Sequence, residues 1–175
     1  VYDRGSLYDR PSKNSFSGAT PKRYENYLKY IEWSSKTHGT ERRSAVAGAA
    51  DEIRMIHSPE SYAPFSVRTV ASNGNVWDGK VDRSSISRMP STEELLEIGK
   101  GKGCVAENIL SIAHHFRYGE FDWFTGGDCQ YIRRDQFDYL DIEAPIAEVM
   151  GKVDGMKAGH HSTKGTNSSE LLDVL

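Results

Sequence analysis

Residues 121–128 have the sequence FDWFTGGD, and residues 153–161 have the sequence VDGMKAGHH. In the first stretch an apolar run ends in two glycines and the carboxylate of Asp128. In the second, a weaker apolar run ends in a glycine followed by His160 and His161. Two strands that end side by side would bring a carboxylate and an imidazole to one edge of a sheet. Because oxygen and imidazole ligands suit zinc, manganese or iron, the pair predicts a metal site.

The residues between these stretches predict a helical crossover. Asp141 is placed to cap a helix that ends at Gly151, with Pro145 tolerated in its first turn. One face of this helix is apolar, formed by Ile142, Ile146, Val149 and Met150. A connection of this length suits two parallel strands that lie side by side.

The flanking segments complete the predicted fold. Residues 108–117 and 121–125 are apolar on both arms and predict a β-hairpin around the turn at 118–120, and residues 153–158 predict the next strand. A last helix is capped by Ser168 or Asn167. The order strand, hairpin, helix, strand, helix predicts an α/β fold with a sheet backed by helices.

The two predicted ligands each have an ordinary structural explanation. The ordinary explanation for Asp128 is that it caps a helix or pairs with Arg133 or Arg134. The ordinary explanation for His160 is that it is packed in the core with its hydrogen bonds satisfied. A carboxylate at the end of a buried strand is costly unless a cation meets it. The combination, with each residue ending an apolar strand, favours the metal site.

His114 and His115 are adjacent in the middle of a strand and face opposite sides of the sheet. At most one of them can therefore point to any given site, and we expect both to be packed or solvent-facing.

The first half of the chain predicts a helix and several strands. A hydroxyl cap at Thr20 and the following proline begin a helix that runs to about Ser34. Its apolar face consists of Tyr24, Tyr27, Leu28 and Ile31. Strands are expected at 52–56 and 65–70, and residues 79–90 are expected to form an irregular loop. Turns are predicted at Asn73-Gly74 and Asp78-Gly79, and a capping box at Ser91 with Glu94.

The bulk composition limits the function classes. The chain has 175 residues, enough for one domain with a real core. The net charge of −3 does not favour nucleic acid or an anionic membrane surface as a partner. No apolar run approaches the ~20 residues of a membrane span. Cys104 and Cys129 are too few for a disulfide framework, and whether they pair stays open. The cell compartment also stays open.

Several motifs together resemble the metallo-β-lactamase superfamily, in particular the hydrolase domain of competence (DNA-uptake) proteins. Residues 108–128 place a strand, Tyr-Gly-Glu-Phe-Asp and Thr-Gly-Gly-Asp in that order, and 154–162 end in His-His-Ser. That branch has a strand with Thr-Gly-Asp, then a helix, then Asp-Val-Leu-Lys-x-x-His-His-Gly-Ser. The similarity is weak over most of the chain and specific over residues 104–175.

The resemblance implies an αββα sandwich with metals at the sheet edges. Asp128 corresponds to the carboxylate that bridges two metal ions, and His160 to the last histidine ligand. His161 corresponds to the neighbour that acts on the substrate or supports the ligands, which makes it the candidate catalytic residue. The expected cofactor is Zn²⁺, as one or two ions, with Mn²⁺ or Fe as alternatives. The implied activity uses a metal-bound hydroxide on a phosphodiester, another ester or a related small-molecule substrate.

The sequence departs from the family pattern at two places. The family's His-x-His-x-Asp-His motif is absent, and residues 37–40, Thr-His-Gly-Thr, do not supply it. In the family that motif precedes the position of Val1. Ser162-Thr163 also replaces Gly-Ser. We therefore expect residues 1–175 to be a single domain that is part of a longer metallo-β-lactamase-like domain, and inactive alone.

Two other function classes remain as alternatives. One is a metal-free binding or structural domain of the same fold with a degenerate site. The other is a nucleic-acid-binding module that uses Arg42, Arg43, Lys100 and Lys102. The lysines lie in a glycine-rich loop that follows a helix and lacks P-loop spacing. With a net charge of −3, the nucleic-acid alternative ranks last.

Overall fold

The computed structural model describes residues 1–3, 5, 21–91, 93, 94, 97, 107–131 and 138–175. In these ranges the strands are β1 (Tyr2–Asp3), β2 (Arg43–Ser44), β3 (Phe65–Ser72), β4 (Asn75–Trp77), β5 (Ser85–Ser87), β6 (Ala113–Tyr118), β7 (Phe121–Thr125) and β8 (Gly155–Lys157). The α-helices with defined bounds are α1 (Pro21–His38), α2 (Glu143–Val149) and α3 (Ser169–Val174). Short 3-10 helices are formed by Pro59–Tyr62, Glu107–Leu110 and Asp138–Leu140, whereas Gly159–Ser162 is a turn whose backbone is not that of a right-handed helix.

The main sheet has six strands in the order β5-β4-β3-β6-β7-β8. Adjacent strands of this sheet are antiparallel, except that β7 and β8 are parallel to each other. In that pair Thr125 lies opposite Lys157. The β6–β7 hairpin and the crossover through α2 are therefore confirmed, and the protein is an α/β structure. The crossover matters for function because it places the carboxyl ends of β7 and β8 at the same edge of the sheet.

One face of the sheet carries the hydrophobic core. Ala113 of β6 and Phe124 of β7 pack in one cluster with Ile142 and Ile146 around α2, and each of these side chains is at most 1% exposed. The cluster buries large apolar side chains, so it provides the main driving force for folding.

The opposite face of the sheet is aromatic and only partly covered. Phe116 of β6 and Trp123 of β7 are in edge-to-face contact, with ring centroids 5.4 Å apart. Tyr118 and Phe121 are paired across the same strands and are 50% and 53% exposed. Because alternate residues of a strand share a face, these four rings form one surface, which we call the aromatic face.

Helix α1 packs beside a separate two-stranded parallel sheet of β1 and β2. The Asp3 carboxylate accepts hydrogen bonds from Tyr27 of α1 and from Arg42. Burial acts to raise the pKa of Asp3, but these hydrogen bonds outweigh it and hold the pKa below its usual value. The helix continues to His38, four residues beyond the predicted Ser34. Lys36 pairs with Glu32 one turn earlier, which supports this additional turn.

Several predicted boundaries are wrong for identifiable reasons. Residues 52–56 form no strand, because Glu52 instead accepts hydrogen bonds from the Val46 amide and the Thr69 hydroxyl. The strand expected from residue 108 begins at Ala113, since the Ser111 amide closes a 3-10 turn. The loop expected at 79–90 contains β5, which pairs with β4. The last strand is Gly155–Lys157, shorter than 153–158.

The capping predictions are confirmed where they lie in described residues, and Asn73-Gly74 forms the turn between β3 and β4, whereas Asp78-Gly79 leads into a bend. The Ser91 hydroxyl and the Glu94 carboxylate bond each other's backbone amides, as a capping box requires. Asp141 accepts from the Ala144 amide, and Ser168 accepts from the Leu171 amide. Other predicted features lie outside the described residues: the Thr20 cap, the loop with Lys100 and Lys102, Cys104, Arg133 and Arg134. In the described ranges, no helix is long and apolar enough to cross a membrane.

Candidate functional site

The loops that follow β7 and β8 are in direct contact. The backbone amide of His160 donates to the carbonyl oxygen of Gly127 at 3.2 Å, and the Lys157 ammonium reaches the same oxygen at 3.3 Å. Gly127 immediately precedes Asp128 in the chain. The structure therefore brings the main chain at Asp128 and the main chain at His160 together at one sheet edge.

Asp128 lies half-buried at the end of a tight turn. Gly127 has a φ of +60°, and a Cβ atom there would lie 3.2 Å from the carbonyl oxygen of Ile112. Glycine suits this position because it has no Cβ to approach that oxygen and adopts this φ without steric cost. Within the described part of the chain no hydrogen bond reaches the Asp128 carboxylate.

The imidazole of His160 is fixed by an amide. Its Nδ1 atom lies 3.0 Å from Nδ2 of Asn108, and that Nδ2 also donates to Oε1 of Gln130 at 3.2 Å. Gln130 is buried, and Asn108 sits in the 3-10 helix before β6. Asn108 lies in the stretch that resembles the family, but the sequence predicts no role for either amide, because no local pattern shows a contact across 52 residues.

His160, His161 and Ser162 adopt a left-handed backbone in succession, with φ values of 39°, 56° and 58°. Each such residue costs about 1–2 kcal/mol relative to a right-handed conformation. The Thr163 amide and hydroxyl both donate to the His160 carbonyl, at 3.2 and 3.0 Å, and hold the turn. His161 is exposed beside His160, with ring centroids 6.0 Å apart.

A buried carboxylate helps to hold this turn in place. Glu143, at 1% exposure, accepts from the backbone amides of Asn167 and Ser168 at 2.9 and 2.6 Å. Asn167 in turn accepts from the Gly159 amide and donates to the Gly159 carbonyl. Burial raises the pKa of Glu143, although the two amide donors oppose that shift. No local sequence pattern predicts this role, whose only signal is an acidic residue in the first turn of a helix.

Cys129 follows Asp128 and is buried. Burial raises the pKa of its thiol, and the negative charges of Glu143 and Asp128 raise it further. A buried thiol with a raised pKa is a poor nucleophile at neutral pH. Cys129 therefore acts as a small apolar side chain at the base of the site.

The two histidines of β6 have partners of their own. His114 is half-buried and lies 3.5 Å from the Thr69 hydroxyl, and burial lowers the pKa of its imidazole. His115 contacts the Asp122 carboxylate at 2.6 Å. These contacts agree with the structural roles expected for both residues.

The arginines of the nucleic-acid alternative also have partners. Arg42 pairs with Asp3 and stacks over the Tyr27 ring at 5.6 Å, and Arg43 pairs with Glu41. Their charges are therefore compensated within the protein.

The donors of the site fit part of a metal coordination sphere. Asp128 and His160 supply a carboxylate and an imidazole, the ligand types suited to zinc or manganese. In the described ranges no group of three or more His, Cys, Asp or Glu residues is arranged to hold a metal ion. Zinc takes three or four protein ligands, so the described residues provide an incomplete set. No family model, no curated protein and no solved structure matches the chain.

Proposed function

We propose that this protein is a metal-dependent hydrolase of the metallo-β-lactamase type, acting on a phosphodiester or another ester. The observation that carries the proposal is the hydrogen bond from the His160 amide to the Gly127 carbonyl. It joins the two loops whose carboxylate and imidazole have the ligand chemistry of such an enzyme. The left-handed turn at His160 adds support, because strained backbone of this kind clusters at functional sites.

The proposed roles follow from the position of each side chain. Asp128 and His160 bind the cation, which is zinc, or manganese or iron in its place. A bound ion of this kind lowers the pKa of a coordinated water toward about 7. His161 is exposed next to His160 and donates a hydrogen bond to an oxygen of the substrate. Glu143 and Asn167 hold the backbone of the turn.

We further propose that the complete fold is the αββα sandwich and that its second sheet covers the aromatic face. Exposed rings such as Tyr118 and Phe121 form an apolar surface of the kind that marks an interface. The remaining metal ligands come from residues beyond those described. This arrangement accounts for a site at the sheet edge with only two donors in the described ranges.

The direct test uses the full-length protein and two chromogenic substrates, bis(4-nitrophenyl) phosphate and 4-nitrophenyl acetate. We expect bound zinc or manganese, hydrolysis that stops with a chelator and returns with metal, and a loss of at least ~100-fold in kcat/KM for Asp128→Ala and His160→Ala. His161→Ala should lower kcat/KM while metal content stays unchanged. Asp173→Ala and His57→Ala are the matched controls, since both side chains are exposed.

Two results would favour one of the alternative functions over the proposed one. A protein without bound metal, in which Asp128→Ala leaves any hydrolysis unchanged, would favour the metal-free binding domain. Metal-free protein that associates with DNA with a strong dependence on salt would favour the nucleic-acid alternative.

A further inference from the structure

Asn108 makes a contact with His160 that bears on which ring nitrogen carries the proton. As the structure stands, Asn108 Nδ2 is directed at His160 Nδ1 and at Gln130 Oε1. An amide nitrogen only donates, so Nδ1 accepts and a neutral ring then carries its proton on Nε2. A ligating histidine needs the reverse, with the proton on the nitrogen that does not bind the metal.

The Asn108 amide can satisfy the reverse arrangement if its oxygen and nitrogen exchange places. If both amides turn over, Asn108 Oδ1 occupies the place of Nδ2, and Gln130 Nε2 occupies the place of Oε1. A carbonyl oxygen has two lone pairs, so Oδ1 then accepts from His160 Nδ1 and from Gln130 Nε2. All hydrogen bonds of the group are kept, and His160 Nε2 is left unprotonated.

The surroundings hold the backbone of this amide pair in place. Ile109 and Leu110, which follow Asn108, are both 0% exposed, and the Leu110 carbonyl accepts from the Asn73 amide. The backbone of Gln130 is fixed by the Ile142 amide, which donates to its carbonyl at 3.2 Å. The backbone of both residues is therefore held in place, and only the orientation of the two side-chain amides can change.

We propose that Asn108, together with Gln130, is a positioning residue that sets the tautomer of His160, with Asn108 Oδ1 accepting the Nδ1 proton when His160 binds a cation through Nε2. This inference rests on the proposed function of His160 as a ligand. Asn108 is distant from His160 in sequence, and it acts on the cation only through the His160 imidazole.

The test compares Asn108→Asp with Asn108→Ala in the full-length protein. Aspartate offers only acceptor oxygens, so we expect it to hold the proton on Nδ1 even without metal and to retain zinc affinity. Alanine offers nothing, so we expect zinc affinity to fall ~10–100-fold. Zinc affinity is measured by chelator competition, and the tautomer by long-range ¹H–¹⁵N spectra of the His160 ring. Asn75→Ala on β4 is the matched control.

The spectra separate this inference from the proposed function. We expect the proton on Nε2 in metal-free wild-type protein, as the Asn108 contact has it, and on Nδ1 in zinc-bound wild-type protein. If Asn108→Asp leaves the metal-free His160 tautomer as in wild type, or if Asn108→Ala binds zinc as tightly as wild type, the inference is overturned. If wild type binds no zinc, the proposed function fails, and the metal-free tautomer in Asn108→Asp still decides whether Asn108 sets it.

Discussion

At the scale of single residues, the site depends on backbone conformations that most side chains disfavour. Three successive non-glycine residues, His160, His161 and Ser162, have positive φ. The third, Ser162, stands where the competence-protein pattern that the sequence resembles has glycine, the residue that adopts this conformation without steric cost. The hydrogen bonds of Thr163 and Asn167 around the turn must offset the difference.

Substitutions at Ser162 measure this strain. We expect Ser162→Val to lower the free energy of unfolding by ~1–2 kcal/mol, because a β-branched side chain is a genuine outlier at a φ of 58°. Ser162→Gly should stay within ~1 kcal/mol of wild type, since relief of strain is opposed by the greater freedom of glycine in the unfolded chain. Urea unfolding gives both values. Ser66→Val, at an exposed strand position, is the control, and equal losses for both valine variants would contradict the account.

The residues that the sequence predicted differ in kind from those it missed. Asp128 and His160 follow apolar runs, so a local pattern points to strand ends and their polar residues. Asn108 and Glu143 act on partners 52 and 24–25 residues away. Such contacts depend on how the strands and helices pack, which no local spacing encodes.

At the scale of elements, the unit β7–α2–β8 brings the residues of the candidate site together. The parallel pairing of β7 and β8 brings their ends together, and α2 contributes Glu143 to hold the start of α3. The Asp141 cap, the hairpin and the crossover followed from local signals. The exact ends of β6 and β8 did not: the Ser111 amide closes a 3-10 turn before β6, and β8 pairs with β7 over three residues only.

Removal of Glu143 tests whether this carboxylate joins the elements. Glu143→Ala leaves the amides of Asn167 and Ser168 without their acceptor, and each unsatisfied buried group costs about 1–3 kcal/mol. We expect the free energy of unfolding to fall by ~2–5 kcal/mol in urea unfolding at neutral pH. Glu148→Ala, on the same helix with an exposed ion pair to Arg88, should cost no more than ~1 kcal/mol. A loss for Glu143→Ala as small as that of Glu148→Ala would contradict the role.

At the scale of the whole molecule, the six-stranded sheet has two unequal faces. The side covered by α2 and α3 forms the core, and the opposite side presents the aromatic face. The sequence predicted the α/β class, because apolar strands alternate with amphipathic helices. The short pairing of β1 with β2 was not predicted, since two-residue strands leave no periodic pattern.

The central claim is that Asp128 and His160 bind one cation together. Addition of substoichiometric Mn²⁺ to ¹⁵N-labelled full-length protein tests it directly, because the paramagnetic ion broadens the amide signals nearest to it. We expect the signals of residues 126–129 and 159–161 to broaden first, and this broadening to be lost in both Asp128→Ala and His160→Ala. Broadening centred elsewhere, or unchanged in either variant, would contradict it.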